Sequence, residues 1–225
     1  MPESNKHLII PPKYSRNAAN VRARMEPDVA GEYLLRTMEA LTGIDLGCAD
    51  ILDIGCGSRF AGSIVNRNIK VRSYTGIDVY KEMIDFLAEN TAQHANMNFV
   101  HWPVENALYN PREKKRLTET PLPVLGSFDL ICFFSVFTHL APDDARAMLR
   151  LSAGALRAAG RIFLTTFVSE NQETDFFDQE PSKPLTKATY RREYLELLIK
   201  EAGLAVVGFH PPANLMQHHY VLRHL

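Results

Sequence analysis

The stretch Ala49-Asp50-Ile51-Leu52-Asp53-Ile54-Gly55-Cys56-Gly57-Ser58-Arg59-Phe60 constrains the fold more than any other part of the chain. A short apolar run ends in an acid. A Gly-x-Gly turn follows, and the next residues can start a helix. Strand, glycine turn and helix in that order form the head of a nucleotide-binding α/β unit. Gly55 and Gly57 can take up positive φ and let a ligand come close to the backbone. Cys56 lies between them on the same candidate binding loop. Free N–H groups at the following helix start favour an anionic group, such as a carboxylate. Asp53 at the strand tip suits a cationic or hydroxyl-bearing ligand better than a pyrophosphate.

Strand and helix patterns alternate through the rest of the chain. Periodicity predicts strands over roughly 50–54, 72–77, 98–102, 128–134, 162–167, 204–209 and 219–222. The first helix should start at a capping Asp28 and stop at Gly43, with Val29, Tyr33, Leu34, Met38 and Leu41 inward. Further helices are expected over about 60–66, 81–91, 142–159 and 190–202. The fourth should bury Ala145, Met148, Leu149, Ser152 and Leu156 and break at Gly160. The last should bury Tyr194, Leu197 and Leu198. Asp78, at the second strand tip, falls close to the ~20 residues past the glycines at which an acid meets a ribose. Val79 follows it.

With 225 residues, the chain suits one α/β domain with a small extension. We expect that domain over 46–225, with an arm and helix over 1–45 as a candidate substrate lid. The proline-bearing connection 103–126 and the polar segment 168–187 are candidate substrate-side loops. Net charge is −1, so the chain lacks the footprint of a nucleic-acid binder. Cys48, Cys56 and Cys132 lack metal or redox spacing, which predicts no metal and no disulfide framework. No apolar run is long enough to span a bilayer. A cytoplasmic protein with no membrane partner is the expectation. The sequence leaves the oligomeric state open.

Leu52-Asp53-Ile54-Gly55-Cys56-Gly57 resembles the first motif of class I S-adenosylmethionine (SAM)-dependent methyltransferases. The resemblance continues at Tyr74-Thr75-Gly76-Ile77-Asp78, through Ser127 to Leu140, and at Ala159-Gly160-Arg161-Ile162-Phe163-Leu164-Thr165. It runs from about residue 50 to the C-terminus. It implies a Rossmann-like, mostly parallel sheet of seven strands in the order 3-2-1-4-5-7-6, with helices on both faces. It also implies SAM as cofactor. Arg59 stands where the family commonly has a third glycine, and pairing with the methionine carboxylate is one reading of it. The family often has an acid after the third strand for the adenine amino group; Trp102 stands near that place here. Trp102 against the adenine face and Trp102 as plain core remain open alternatives.

In open parallel sheets the ligand crevice lies outside the strand ends. Ser135, Val136, Phe137, Thr138 and His139 should therefore border the methyl donor, with Tyr109 as a further acceptor-side candidate. Transfer to a high-pKa oxygen needs a base within hydrogen-bond reach. His139 is the first candidate, since imidazole titrates near neutrality. Tyr109 and His101 are weaker ones. The expected activity is O-methylation of a small molecule, such as a sugar or natural product. A donor-binding protein without catalysis and an NAD-dependent oxidoreductase are the alternatives.

Overall fold

A computed structural model describes residues 7–15, 25–106, 108–180, 182, 185–212 and 217–225. β1 (Asp50–Ile54), β2 (Ser73–Asp78), β3 (Met97–His101), β4 (Phe128–Phe133) and β5 (Leu156–Ser169) pair in parallel in the order β3-β2-β1-β4-β5. The antiparallel pair β8 (Leu204–His210) and β9 (His218–His224) extends the sheet, with β9 against β5. Counting that pair as the sixth and seventh strands gives the expected order 3-2-1-4-5-7-6. The β-rich centre is legible because its strands are buried on both faces and read as continuous apolar runs.

Strand alternation divides the core. Leu52, Ile54, Ile131 and Phe133 face α4 (Pro142–Ala155) and α5 (Arg192–Glu201). Ile51, Leu130, Cys132 and Tyr74 face α1 (Pro27–Thr42), α2 (Arg59–Asn66) and α3 (Lys81–Asn90). Each fully buried Leu or Ile stabilises by about 1.5–3 kcal/mol relative to exposure. α1 ends as expected at Gly43, in the left-handed region with φ +69°. Its N-cap is Glu26 rather than Asp28, whose carboxylate instead accepts a hydrogen bond from Asn66 Nδ2 (2.8 Å). Its buried stripe is rotated from the expected one. Val29 and Tyr33 are exposed, while Ala30, Leu34, Leu35 and Met38 are buried. Gly31 decides this: a Cβ there would sit 1.9 Å from Ser63 Oγ, so α1 meets α2 along its glycine face.

Three further expectations are corrected. α4 stops at Ala155, and the chain enters β5 at once rather than breaking at Gly160. The early part of β5 shifts register against β4 between Phe128 and Leu130. Gly160 serves that shift, since a Cβ there would lie 2.9 Å from Arg157 O and 3.1 Å from Asp129 O. The segment 168–187 is not all loop. β6 (Phe176–Asp178) pairs with β7 (Ala188–Arg191), and β7 pairs with the end of β5. Phe176 packs edge-on against Tyr190 (5.4 Å), so Tyr190 belongs to β7 and not to the last helix. α5 accordingly buries Leu195, Leu198 and Ile199 and leaves Leu197 exposed.

The described part of the arm lies across α2 and α3. The Leu8 N–H donates to Asn66 Oδ1 (2.7 Å), and Ser58 Oγ donates to the Tyr14 carbonyl (3.0 Å). The Tyr14 ring rests on Tyr80 and Phe86. Residues 1–6 and 16–24 of the candidate lid lie outside the described residues.

An ion network ties together the opposite end of the sheet. The Asp50 carboxylate accepts from Arg72 (2.9 and 2.7 Å), Ser73 Oγ (2.7 Å) and Arg157 (2.7 Å). Arg72 first, with Ser73 and Arg157, holds its carboxyl well below the ordinary range. The folded value lies below the unfolded one. The stabilisation is thus present above about pH 4 and lost as pH falls further. Arg72→Ala is expected to flatten the acid limb of the stability curve, read as urea midpoints at about pH 3 and pH 6. Equal pH sensitivity of parent and variant would remove the network from acid unfolding.

Candidate active site

A cavity of about 800 Å³ opens at the C-terminal ends of β1, β2 and β4. This is the upper range for small-molecule sites and leaves room for a nucleoside-sized donor and a small acceptor. Its first wall is the glycine turn. Gly55 and Gly57 have φ of +71° and +53°. A Cβ on Gly55 would lie 2.6 Å from Val136 Cγ2, whereas one on Gly57 would meet nothing within 4 Å. Gly55 thus lets the turn pack under Val136, and Gly57 leaves a bare backbone facing open space. The N–H groups of Gly55 and Cys56 donate to Ile77 O (2.8 and 3.1 Å), which locks the turn to the tip of β2.

Asp78 closes the same corner. It is buried, and its carboxylate accepts from the N–H groups of Gly57 (3.0 Å) and Tyr80 (2.9 Å). Cys56, Gly55, Gly57, Arg59, Asp78, Val79 and Trp102 all lie on the cavity wall. Trp102 is both wall and core. It is 2% exposed, and its indole N–H donates to Pro121 O (2.9 Å). Arg59 opens α2, and its guanidinium lies 5.7 Å from the Phe134 ring centroid.

Asp53 is not on this wall. It shares a sheet face with Tyr74 and Cys132 and pairs in register with Gly76, which places it below the strand tip. Its Oδ2 accepts from Tyr74 OH (2.6 Å), and its Oδ1 is buried without a hydrogen-bond partner among the described residues. Burial pushes its carboxyl up to about 7, against the lowering effect of the Tyr74 and Cys132 contacts.

The second wall follows β4. Ser135 has φ +59°, a left-handed conformation that costs a non-glycine residue roughly 1–3 kcal/mol. A clamp holds it there. Its N–H donates to Thr165 Oγ1 (2.8 Å), Thr165 Oγ1 donates to Gln217 Oε1 (2.6 Å), and Gln217 Nε2 donates to Ser135 Oγ (3.0 Å). Sequence reasoning missed Gln217, and no local signal marks it. Val136, Thr138 and His139 line the cavity. Phe137 does not: it is fully buried, edge-on to Phe133 at 5.3 Å. The short 3-10 turn Phe137–His139 rotates it inward while presenting its two successors.

The third wall comes from the loops. Asn106 Oδ1 accepts from the N–H groups of Leu108 and Tyr109 (3.0 Å each), forming a turn that presents Tyr109. The Tyr109 ring meets His139 edge-on at 5.9 Å. His139 Nδ1 lies 2.8 Å from the Leu185 carbonyl oxygen. A carbonyl only accepts, so Nδ1 carries the proton and Nε2 the lone pair. Of the segment 168–187, Leu185, Thr186 and Lys187 reach the wall. Arm residues 7–15 and His101 are absent from it among the described residues, and His101 Nε2 sits by Val79 O (3.2 Å).

A parallel sheet in this order, an antiparallel final pair and a glycine turn facing an acid at the second strand tip form the fold that the resemblance to class I SAM-dependent methyltransferases implies. Residues 52–162 match the methyltransferase domain family. A stretch of 118 residues is 27% identical to malonyl-[acyl-carrier protein] O-methyltransferase of Halalkalibacterium halodurans, covering 52% of this chain and 38% of that protein. The fold is similar to a SAM-dependent methyltransferase from Clostridium acetobutylicum ATCC 824, with TM-score 0.60 and 12% identity over 90% of this chain and 94% of that one. It is also similar to NcsB1, an O-methyltransferase from neocarzinostatin biosynthesis solved with S-adenosyl-L-homocysteine and 1,4-dihydroxy-2-naphthoic acid. There the TM-score is 0.58 and the identity 16%, over 92% of this chain and 59% of that one. No helix of the described residues is long and apolar enough to cross a membrane.

Proposed function

We propose that the chain transfers a methyl group from SAM to an oxygen of a small-molecule acceptor, with a sugar or natural-product hydroxyl as the acceptor class. The observation that carries this reading is one continuous cavity with the glycine turn and Asp78 at one side and His139 at the other. Two proteins similar to this chain are O-methyltransferases, and one of them was solved with a dihydroxy aromatic acid. SAM supplies a methyl group already activated on a sulfonium, so the protein contributes mainly position. Gly57 leaves its backbone open to the donor. Asp78 accepts the ribose hydroxyls, and Arg59 faces the methionine carboxylate as a charge-assisted partner. Trp102 borders the adenine. Tyr109, Thr138 and His139 receive the acceptor, and His139 Nε2 takes the hydroxyl proton as the oxygen attacks.

Formation of S-adenosylhomocysteine on incubation with SAM and a library of hydroxylated metabolites tests the reading. Donor binding without turnover on any of them would favour the non-catalytic alternative. Asp78→Ala is expected to weaken SAM binding by about 1.5–3 kcal/mol, or roughly 10–150-fold, because hydrogen bonds to a charged group are lost. Calorimetry measures this directly, and an unchanged affinity would remove Asp78 from the donor site.

A further inference from the structure

Leu185 carries a strain that the fold of the methyltransferase core does not require. It is one of three non-glycine residues with positive φ among the described residues, at +59°. It sits on the β6–β7 connection, outside the seven-strand core. Its N–H donates to Asp178 Oδ2 at 2.7 Å, and its carbonyl faces His139 Nδ1 at 2.8 Å. Asp178 ends β6 and also accepts from the Glu180 N–H at 3.3 Å. Gln179 ties the two sides of the connection, its N–H to Lys187 O (3.2 Å) and its Nε2 to Thr189 Oγ1 (2.6 Å). A left-handed turn at Leu185 aims its N–H and its carbonyl at these two partners, and Asp178 holds the turn in place.

We propose that Asp178 and the backbone of Leu185 are positioning residues that fix His139 as the Nδ1–H tautomer with its Nε2 lone pair toward the acceptor. The inference rests on the reading of His139 as the base. The Leu185 carbonyl holds the proton on Nδ1, and only that form can accept the acceptor's proton at Nε2. The device lies in the hairpin added to the core, so the histidine and its orienting group come from different elements.

Nitrogen-15 NMR of histidine-labelled full-length protein tests this, with His139→Gln providing the assignment. In the parent at alkaline pH, the His139 ring should show a protonated Nδ1 and a bare Nε2. Asp178→Ala should mix the tautomers and lower kcat by about tenfold while KM for SAM stays constant, since the base and not the donor site is disturbed. Leu185→Gly keeps the carbonyl, suits the left-handed backbone and should retain the parent tautomer. An Nε2–H tautomer in the parent, or a tautomer indifferent to Asp178→Ala in folded protein, would overturn the proposal. If the spectra come out as expected but His139→Ala turns over normally, the positioning stands and the base reading falls.

Discussion

His139→Ala is expected to lower kcat by roughly 10²–10⁴-fold, the range for a lost general base. SAM affinity should barely change, because His139 borders the acceptor side and not the glycine turn. The active form is the neutral ring, so the parent's kcat should fall as pH drops and imidazole takes up a proton. The variant's residual rate should lose that dependence. Stability should fall by only about 1 kcal/mol, the net worth of the hydrogen bond to Leu185 O. A purely structural histidine gives the opposite pattern, with a lowered Tm and a near-normal kcat in the folded fraction. Measuring Tm and kcat on one preparation separates the two, and a variant as fast as the parent would end the base assignment.

Asp53→Asn is expected to stabilise the protein at neutral and alkaline pH. Asp53 is 1% exposed, and burial raises its carboxyl to about 7. An unfolded aspartate titrates near 3.9. Between about pH 4 and pH 7 the folded state thus holds a proton that the unfolded state has released, so stability falls as pH rises through that window. Above about 7 the full cost is present. A gap of about 3 units corresponds to an upper bound of roughly 4 kcal/mol. Asparagine cannot ionise and can still accept the Tyr74 OH bond. Its buried amide N–H₂ and the loss of a negative charge near Arg59 offset part of the gain, leaving on the order of 1–3 kcal/mol. Urea unfolding of parent and variant at about pH 4 and pH 8 checks this, with the gain confined to the higher pH. A gain of equal size at both would contradict it. SAM affinity should change far less than in Asp78→Ala, because Asp53 does not reach the cavity.

Asp53 and Asp78 show where reading the chain succeeds and where it stops. Both acids close short apolar runs, and from the sequence both look like ligand contacts. Asp78 reaches the cavity because it is the last residue of its strand, where the chain turns. Asp53 pairs in register with Gly76, two residues before Asp78, so on the same face it lies one pleat deeper, beneath the tip. Phe137 fails for a similar reason: the 3-10 turn after β4 rotates it into the core beneath Thr138 and His139.

By itself, the sequence determined the sheet's parallel centre, the glycine turn, the acid that ends the second strand and the family resemblance. These rest on local chemistry: apolar runs long enough to be buried strands, glycines where φ must be positive, and an acid at fixed distance along the chain. Tertiary structure alone decided the rest. Gln217 is 82 residues from Ser135 and meets it only because β9 lies beside β5. The β6–β7 hairpin joins a three-residue and a four-residue strand, both too short for periodicity, and forms because β5 offers β7 an edge. The proton on His139 is placed by a backbone carbonyl 46 residues away. Such groups carry no sequence signal, because their roles depend on where the backbone passes and not on which side chain it bears.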